Sequence, residues 1–340
     1  MKLKLFKNIL IFIMLASLIF SLSSCAQNNI VQDDNKFNIV ASFGPMYCLL
    51  LELTHGAENI TLNNMTPSVT GCLHDYILLP KDLKLLEHCD MFVINGAGME
   101  GFADSVFNNF NDIKIADSSL GINSISIQYA SDIIETSSDI QSAEAACNDP
   151  SHDHDEHNDH AGKNHHDHDH ELNPHFWLSL NLVQLQAKNI VSELCKLNPQ
   201  NAEIYTKNLA EFCNSAESLI YYQQDVLKGS PLKENFSLSL YPTFDYFLLD
   251  AGTKPISVVA DSEDTPTAYY LSKLITYIND TDDISCIFGE SQFSSTFVKT
   301  ISNETGLPLI TLDSLVNADY EKGSYFKTMR SNIDLLASLS

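Results

Sequence analysis

Short runs of apolar residues alternate along this chain with longer segments that carry apolar residues at helical spacing. Four β-like runs, FNIVA, NITLN, DMFVIN and DIKIAD, occur before residue 150, and four more, NFSLSL, KPISVV, DISCIF and LPLITL, follow residue 234. Strands that alternate with helices form parallel sheets, because a crossover must return the chain before the next strand begins. The pattern therefore predicts an α/β protein with two lobes, each built on a four-stranded parallel sheet.

The segment between the two sets of strands, residues 199–229, predicts one long helix. Pro199 stands near its start, Gly229 stands at its end, and apolar residues recur between them at helical spacing. A helix of roughly 28 residues is about 42 Å long and should limit how far two lobes can open. Another helix is predicted at TPTAYYLSKLITYI, with Thr265 as its cap and Pro266 in its first turn.

The N-terminus predicts export. Lys2, Lys4 and Lys7 precede the apolar run ILIFIMLASLIF, which has the length of a signal-peptide core rather than of a membrane-spanning helix. The following LSSC resembles the lipobox at which bacterial signal peptides are cleaved and the cysteine is acylated. That resemblance implies a signal peptide at 1–24, a lipid-anchored Cys25 with a tether at 25–36, and a place at the outer face of the bacterial membrane. An uncleaved anchor helix is the alternative.

Residues 151–171, SHDHDEHNDHAGKNHHDHDHE, are almost entirely polar. The segment has too little apolar surface to offset the entropy of ordering it, so we expect a solvated loop. Imidazole and carboxylate groups are ligands for zinc, which makes the loop a candidate for gathering metal. A plain polar linker is the alternative. The histidines are His152, His154, His157, His160, His165, His166, His168 and His170.

Charge and cysteine content narrow the class of protein. The formal net charge of -25 argues against nucleic acid or an anionic surface as the partner and suits a protein that meets cations. Without the leader, roughly 315 residues are left, enough for two lobes with their own cores. The cysteines after Cys25 are odd in number and match no disulfide or zinc-ribbon spacing, so we expect most of them to be small buried residues.

Five motifs in order resemble one family. They are MTPSVTGCLHDY (65–76), NGAGME (95–100), the histidine-rich loop, NPHFWL (173–178) and GESQFSSTFVKTISNETGLPLITLDSL (289–315). Together they are similar to the solute-binding lipoproteins of ABC-type zinc and manganese importers, over essentially the whole mature chain. The resemblance implies a monomeric clamshell with lobes at 37–198 and 230–340, joined by the rigid helix at 199–229. It also implies one metal ion in the cleft, handed to an ABC permease.

The family match implies that His74 and His175 are metal ligands. His74 stands between a predicted strand and a predicted helix, the crevice position at which open α/β sheets bind ligands. Pro174 stiffens the backbone just before His175, and neutral imidazoles are good metal donors. His55 and His88 match no motif and are expected to be structural or surface residues.

The second lobe departs from the family. No histidine follows His175, and a segment that resembles the family's YHPAFGYF reads YPTFDYF, with Tyr241 at the histidine's position. A phenol with a pKa of about 10 is a poor zinc ligand, so metal contact and plain packing are both open for Tyr241. Asp313 matches the family's carboxylate ligand. Glu290 matches a recurrent family glutamate that either binds the metal or orients a histidine.

The identity of the ion is open at this stage. Zn²⁺ is the first choice because the histidine-rich loop goes with zinc-type relatives, whereas a cleft with two histidines and otherwise oxygen donors resembles Mn²⁺-type relatives. Cys72 is either a further thiolate ligand or a small buried side chain. A three-ligand site also resembles catalytic zinc, which leaves a hydrolase with Glu290 as general base as a lower alternative.

A dinucleotide-binding enzyme is the other low alternative. Gly96, Gly98 and Gly101 satisfy G-x-G-x-x-G after a strand, and Asp117 ends the next strand. The match begins at the third strand of the lobe rather than at its first, and an exported lipoprotein would rarely meet NAD. We therefore expect a metal-capture protein and no enzyme.

Overall fold

Two four-stranded parallel sheets form in the computed structural model, which describes residues 36–66, 76–110, 113–130, 173–230, 232, 235–258, 267–281, 283–291, 296–316 and 320–339. The first sheet has the order β2-β1-β3-β4 and the second has the order β6-β5-β7-β8. The strands are β1 (Phe37–Ala41), β2 (Ile60–Asn64), β3 (Met91–Ile94), β4 (Lys114–Asp117), β5 (Phe236–Ser239), β6 (Lys254–Ser257), β7 (Ile284–Glu290) and β8 (Leu309–Leu312). Every pairing is parallel, which confirms the predicted α/β fold class.

Helices connect the strands and cover the sheets. They are α1 (Gly44–Leu53), α2 (Pro80–Leu86), α3 (Ala103–Asn109), α4 (Leu182–Leu197), α5 (Ala202–Val226), α6 (Asp245–Asp250), α7 (Ala268–Asp280), α8 (Thr296–Thr305) and α9 (Ser324–Ala337). The predicted long helix is α5, 25 residues long, and a 3₁₀ turn at Pro199–Asn201 precedes it. Gly229 has φ +81° just beyond its end, a conformation in which glycine avoids the steric cost of a side chain.

The prediction that Thr265 caps helix α7 was wrong. The helix begins at Ala268, and the Thr267 side chain accepts a hydrogen bond from the backbone N–H of Tyr270 at 3.1 Å. The extended backbone of Thr267 places its hydroxyl over the first turn, as a capping residue requires. Two threonines separated by one proline offer the same cap chemistry, so the sequence alone did not distinguish them.

Two apolar cores lie on opposite faces of the second sheet. The larger core contains the buried side chains of the first sheet together with Phe288 and Leu312 from the second. The smaller core contains Ile287, which directly precedes Phe288 on β7, and its cross-strand partner Leu238 on β5. Helix α9 returns to the first sheet's side of the molecule, where Tyr325 is buried in the larger core. The two sheets therefore share one continuous apolar core.

The chain also crosses between the lobes before residue 131. The N–H of Ser257 donates to the carbonyl of Gln128 at 2.9 Å, and Tyr129 forms a parallel bridge with Ser257 at the edge of β6. Ala130 is buried in the smaller core. The described chain resumes at Asn173, whose N–H donates to the carbonyl of Ile125 at 3.0 Å. Both ends of the interval that contains the histidine-rich loop are thus hydrogen-bonded into this crossing.

Within the described ranges, every helix is too short or too polar to cross a lipid bilayer. The predicted leader, lipidation at Cys25 and the tether fall on residues outside those ranges.

Candidate metal centre

Three predicted site residues lie at one edge of the second sheet. Tyr241 follows β5 after one residue, Glu290 is the last residue of β7, and Asp313 comes directly after β8. The carboxyl ends of parallel strands meet at the same edge, and β5 and β7 are neighbours whose crossovers leave in opposite directions. Such a switch point forms the crevice in which open α/β sheets bind ligands.

His175 lies in a buried turn that fixes its imidazole ring. Its Nδ1 is 2.8 Å from Asn173 Oδ1, and its backbone N–H donates to the same oxygen at 3.0 Å. The ring packs beside Trp177, with 5.1 Å between the ring centroids, and the residue is 8% exposed. An amide oxygen only accepts hydrogen bonds, so Nδ1 carries the proton and the lone pair resides on Nε2. This is the state in which a histidine can bind a metal through Nε2.

Hydrogen bonds connect the His175 turn to two turns of the second lobe, the one that contains Tyr241 and the one that contains Asp313. The Asn173 amide donates to the carbonyl of Pro242, next to Tyr241, at 2.8 Å. The indole N–H of Trp177 donates to the carbonyl of Ser314, next to Asp313, at 3.0 Å. The structure therefore brings the predicted first-lobe ligand beside the segments that carry two predicted second-lobe residues.

The Asp313 carboxylate is oriented by its own turn. Oδ1 accepts from the N–H of Leu315 at 2.8 Å, and Leu315 has φ +68°, in the left-handed region. Asn332 on α9 pairs with both backbone groups of Asp313, at 3.0 and 2.8 Å. Burial, followed by the charges of Glu52 and Asp313, raises the pKa of the Cys48 thiol on α1. The charge of Asp313 thus contributes to the electrostatic environment of a helix in the first lobe.

The Glu290 side chain connects the two turns that follow Tyr241 and Asp313. One carboxylate oxygen accepts from the Thr243 hydroxyl at 2.7 Å, and the other accepts from the Ser314 hydroxyl at 3.2 Å. Burial raises the pKa of Glu290 to about 7, although both hydrogen bonds lower it. Each carboxylate oxygen therefore holds one turn. One binds the turn that follows Tyr241, and the other binds the turn that follows Asp313.

Tyr241 is partly exposed, and its ring packs against the smaller core. With Glu290 it lines a shallow pocket at the ends of β5 and β7, whose other walls are mostly apolar, such as Phe288 and Val298. The apolar walls suit the packed ring of Tyr241, and the phenolic oxygen is the polar group that Tyr241 adds to the pocket.

A buried polar network supports the site from the first lobe. Asn95, directly after β3, donates its amide to the carbonyl of Pro174 at 2.9 Å. Glu100 accepts from the Ser42 hydroxyl and the Asn95 N–H at 2.7 Å each, and from the Gly96 N–H at 3.0 Å. Burial raises its pKa to about 7 against those hydrogen bonds. The NGAGME motif therefore positions the backbone immediately before His175.

The same network argues against the dinucleotide alternative. A phosphate-binding loop needs its backbone N–H groups for the pyrophosphate, but the N–H groups of Asn95 and Gly96 donate to Glu100. A side chain at Gly96 would collide with the Asp117 carboxylate, which accepts from the Ser119 N–H and hydroxyl. Gly96 thus makes room for Asp117, which gives the first glycine of the pattern a structural explanation.

Several predicted residues lie outside the described ranges, namely His74, Cys72, the loop histidines and Cys25. Among the described residues, no group of three or more His, Cys, Asp or Glu side chains is placed to hold a metal ion. His55 and His88 are exposed, in agreement with their prediction as surface residues.

Sequence reasoning missed Asn95, Asn173 and Asp245, whose side chains hold the His175 turn. For Asp245 a signal existed, because it stands where the family segment YHPAFGYF has glycine. For the two asparagines the partners are far away along the chain, and residue type alone gave no sign of them.

Comparison with known proteins identifies the family of this chain. The family model described as "ZnuA: Zinc-uptake complex component A periplasmic" matches residues 39–339. The high-affinity zinc uptake system protein ZnuA of Bacillus subtilis (strain 168) is 27% identical over 307 residues, which cover 89% of this chain and 87% of that one. The manganese ABC transporter substrate-binding lipoprotein PsaA of Streptococcus mitis is 22% identical over 333 residues, 96% of each chain.

A solved structure gives the same result for the fold. The SBP FpvC from Pseudomonas aeruginosa in complex with Mn²⁺ superimposes with a TM-score of 0.69 at 22% identity, covering 89% of this chain and 98% of that one. Because the family model spans residues 39–339 and both lobes with them, the chain belongs to the ZnuA family of zinc-uptake complex components.

Proposed function

We propose that this protein captures a divalent transition metal ion, Zn²⁺ in the first place, in the cleft between its lobes and delivers it to an ABC permease. The observation that carries the proposal is the hydrogen bond between His175 Nδ1 and Asn173 Oδ1. It prepares Nε2 as a metal donor in a turn that is bonded to the segments beside Tyr241 and Asp313. The family of the chain supports the same role.

His74, His175 and Asp313 are the proposed ligands. Asp313 supplies the second lobe's charged donor, because its turn holds one carboxylate oxygen on the Leu315 N–H and thereby orients the other. Glu290 braces the Thr243 and Ser314 turns with both of its oxygens rather than binding the ion directly. Tyr241 packs beside the site, and water or its phenol completes the coordination.

Mn²⁺ is the second candidate, and one observation favours it. The candidate donors that the second lobe offers at its strand ends are the oxygens of Tyr241, Glu290 and Asp313. Oxygen donors suit manganese, whereas imidazole nitrogen favours zinc. The PsaA relative is named for manganese and the ZnuA relative for zinc.

The histidine-rich loop, residues 151–171, is proposed to gather Zn²⁺ weakly and pass it to the cleft. The described chain resumes at Asn173, two residues before His175, so the loop is tethered close to the proposed site. A tether of this kind raises the local metal concentration without fixing a geometry. Deletion of residues 151–171 should remove weak binding equivalents and keep one tight site. Loss of the tight site would show that a loop histidine is a primary ligand.

The remaining features follow from the family and the leader. We propose a monomer anchored through lipid at Cys25 on the outer face of the bacterial membrane, with lobes at 37–198 and 230–340 and a linker at 199–229. Some relatives carry the word lipoprotein in their names. The proposed role is binding and transfer rather than catalysis.

Metal analysis of protein purified without chelator tests the proposal. One zinc per chain that resists dialysis, together with displacement of added Mn²⁺ by Zn²⁺, is the expected result. Preferential retention of Mn²⁺ would select the second candidate. The absence of any stoichiometric metal, with the protein shown to be folded by circular dichroism, would contradict metal capture.

A further inference from the structure

The side chain of Asn173 uses its full hydrogen-bonding capacity. Its amide nitrogen donates to the carbonyl of Pro242 at 2.8 Å and to Asp245 Oδ2 at 3.2 Å. Its amide oxygen accepts from the His175 N–H at 3.0 Å and is 2.8 Å from His175 Nδ1. An amide has two donors and two acceptor positions, so all four are occupied.

This set of partners specifies one orientation of the amide. A flipped amide would place its oxygen against the oxygens of Pro242 and Asp245, and its NH₂ group against the His175 N–H. Both contacts are repulsive, so the acceptors on the second lobe determine that Oδ1 faces His175. The orientation of Asn173 in turn selects the imidazole tautomer with the proton on Nδ1.

We propose that Asp245 is a positioning residue for metal capture, which holds the Asn173 amide so that His175 presents Nε2 to the ion. The proposal rests on the proposed role of His175 as a ligand. Asp245 is the first residue of α6 and is 2% exposed. It belongs to the second lobe and acts on the first lobe's histidine through one intervening side chain.

The carboxyl group of Asp245 acts on Asn173 as a hydrogen-bond acceptor through Oδ2. Burial raises its pKa to about 8, although the hydrogen bonds of Asn173 and Ser257 lower it. The contact with Asn173 requires an acceptor oxygen at this position, which an amide side chain also supplies. Asp245→Asn keeps the shape of the side chain and an acceptor oxygen, so it should preserve the contact with Asn173.

Three variants separate positioning from a general structural role. Asp245→Leu keeps the branching at Cγ and removes the acceptor, whereas Asp245→Asn keeps an acceptor oxygen. The matched control is Asp250→Leu at the other end of α6, where Asp250 accepts from the Ser179 hydroxyl at 2.7 Å and from the Asn181 amide at 3.0 Å. That carboxyl also joins α6 to the segment before α4, but its partners are Ser179 and Asn181 rather than Asn173.

The readouts are the ¹⁵N chemical shifts of the His175 ring in metal-free protein and zinc affinity from chelator competition. We expect the Nδ1–H tautomer in the wild type, in Asp245→Asn and in Asp250→Leu. In Asp245→Leu we expect a mixture of tautomers and zinc binding weakened about tenfold, the usual scale for loss of a group that orients a ligand. Rescue by asparagine is the result that a purely structural role would not require.

Two results would overturn the proposal. One is the Nε2–H tautomer in the wild type, which needs no variant and so decides the matter even if Asp245→Leu does not fold. The other is an unchanged tautomer and affinity in folded Asp245→Leu, or in Asp245→Ala if the leucine variant fails to fold. If the second result were obtained while the wild type still bound zinc, the positioning role of Asp245 would be contradicted but the proposed function would not. Conversely, the expected tautomers in a protein that binds no zinc would support the positioning and contradict the function.

Discussion

The indole N–H of Trp177 donates a hydrogen bond to the carbonyl oxygen of Ser314 at 3.0 Å. This bond joins the turn that carries His175 to the turn that carries Asp313. The Tyr325 hydroxyl donates to the carbonyl of Trp177 at 2.7 Å, so the C-terminal helix fixes the same turn from behind. Trp177 is 1% exposed, and its bond to Ser314 is therefore formed away from water. One buried side chain thus holds two candidate ligands from the two lobes in a common arrangement.

Replacement of Trp177 by phenylalanine should loosen that arrangement. The change removes the N–H donor, leaves the Ser314 carbonyl without it and shrinks a buried ring. We expect the free energy of unfolding to fall by about 2–4 kcal/mol and zinc affinity to fall about tenfold. Denaturant unfolding and chelator competition measure the two effects. Tyr221→Phe, at an exposed aromatic on α5, is the control and should change neither. A destabilised variant with unaltered affinity would show that the bond does not position the site.

Substitutions at Asp313 and Tyr241 should have unequal effects. Asp313→Asn keeps an oxygen for the Leu315 N–H but removes the negative charge, so zinc affinity should fall by more than tenfold. Tyr241→Phe removes only the phenolic oxygen and keeps the packing against the smaller core, so its effect should be less than about threefold. Competition titrations of both variants, with circular dichroism as a check of folding, provide the comparison. Equal losses would make the phenol a true ligand, and no loss in either would mean that the proposed second-lobe site is wrong.

Tyr241→His should tighten zinc binding in particular. The variant places a third imidazole at the position where the resembling family segment has histidine. Nitrogen donors favour zinc over manganese, so the ratio of the two affinities should rise by about tenfold or more. Paired titrations with Zn²⁺ and Mn²⁺ test this. An equal change for both ions would indicate that residue 241 does not reach the metal.

The stability of the metal-free protein should depend on pH through Glu100. Its pKa is about 7 in the folded protein against an ordinary value of 4.5. Between these values the folded state binds a proton that the unfolded state does not, so the free energy of unfolding falls as pH rises through this window. One such group contributes at most about 1.4 kcal/mol per pH unit to the slope of the free energy of unfolding against pH.

Glu100→Gln should remove that share of the slope. Denaturant unfolding at pH 5, 6, 7 and 8 measures it, and Glu217→Gln, at an exposed position on α5, is the control that should retain the wild-type slope. If Glu100→Gln had the same slope as the wild type, Glu100 would not be the group that takes up the proton.

Much of the fold followed from local pattern. All eight predicted runs became strands with ends within about two residues of those expected, since buried parallel strands read as short apolar runs. The long helix was also predicted from a local pattern, namely the helical spacing of apolar residues between Pro199 and Gly229. The cap of α7 was missed because Thr265 and Thr267 offer the same chemistry in the sequence, and only the structure shows that the helix begins after Thr267.

The supporting residues could not be found in this way. The contact between Asn173 and Asp245 joins positions 72 residues apart, and the contact between Asn95 and Pro174 joins positions 79 apart. Such pairs depend on how the two sheets pack, which no local periodicity contains. His175 and Asp313 were named through family motifs, and the structure adds the hydrogen bonds that hold their turns together.

A chelator-competition titration with Zn²⁺ on the wild-type chain and on His175→Gln tests the central claim most directly. Glutamine keeps the polarity and approximate size of the side chain but removes the imidazole Nε2 that is proposed to bind the ion. The account predicts one tight zinc equivalent in the wild type that weakens at least a hundredfold in the variant, with the weak loop equivalents unchanged. It also predicts that the tight affinity declines as pH falls through about 6.5, where imidazole is protonated. An unchanged tight equivalent in folded His175→Gln would contradict the account.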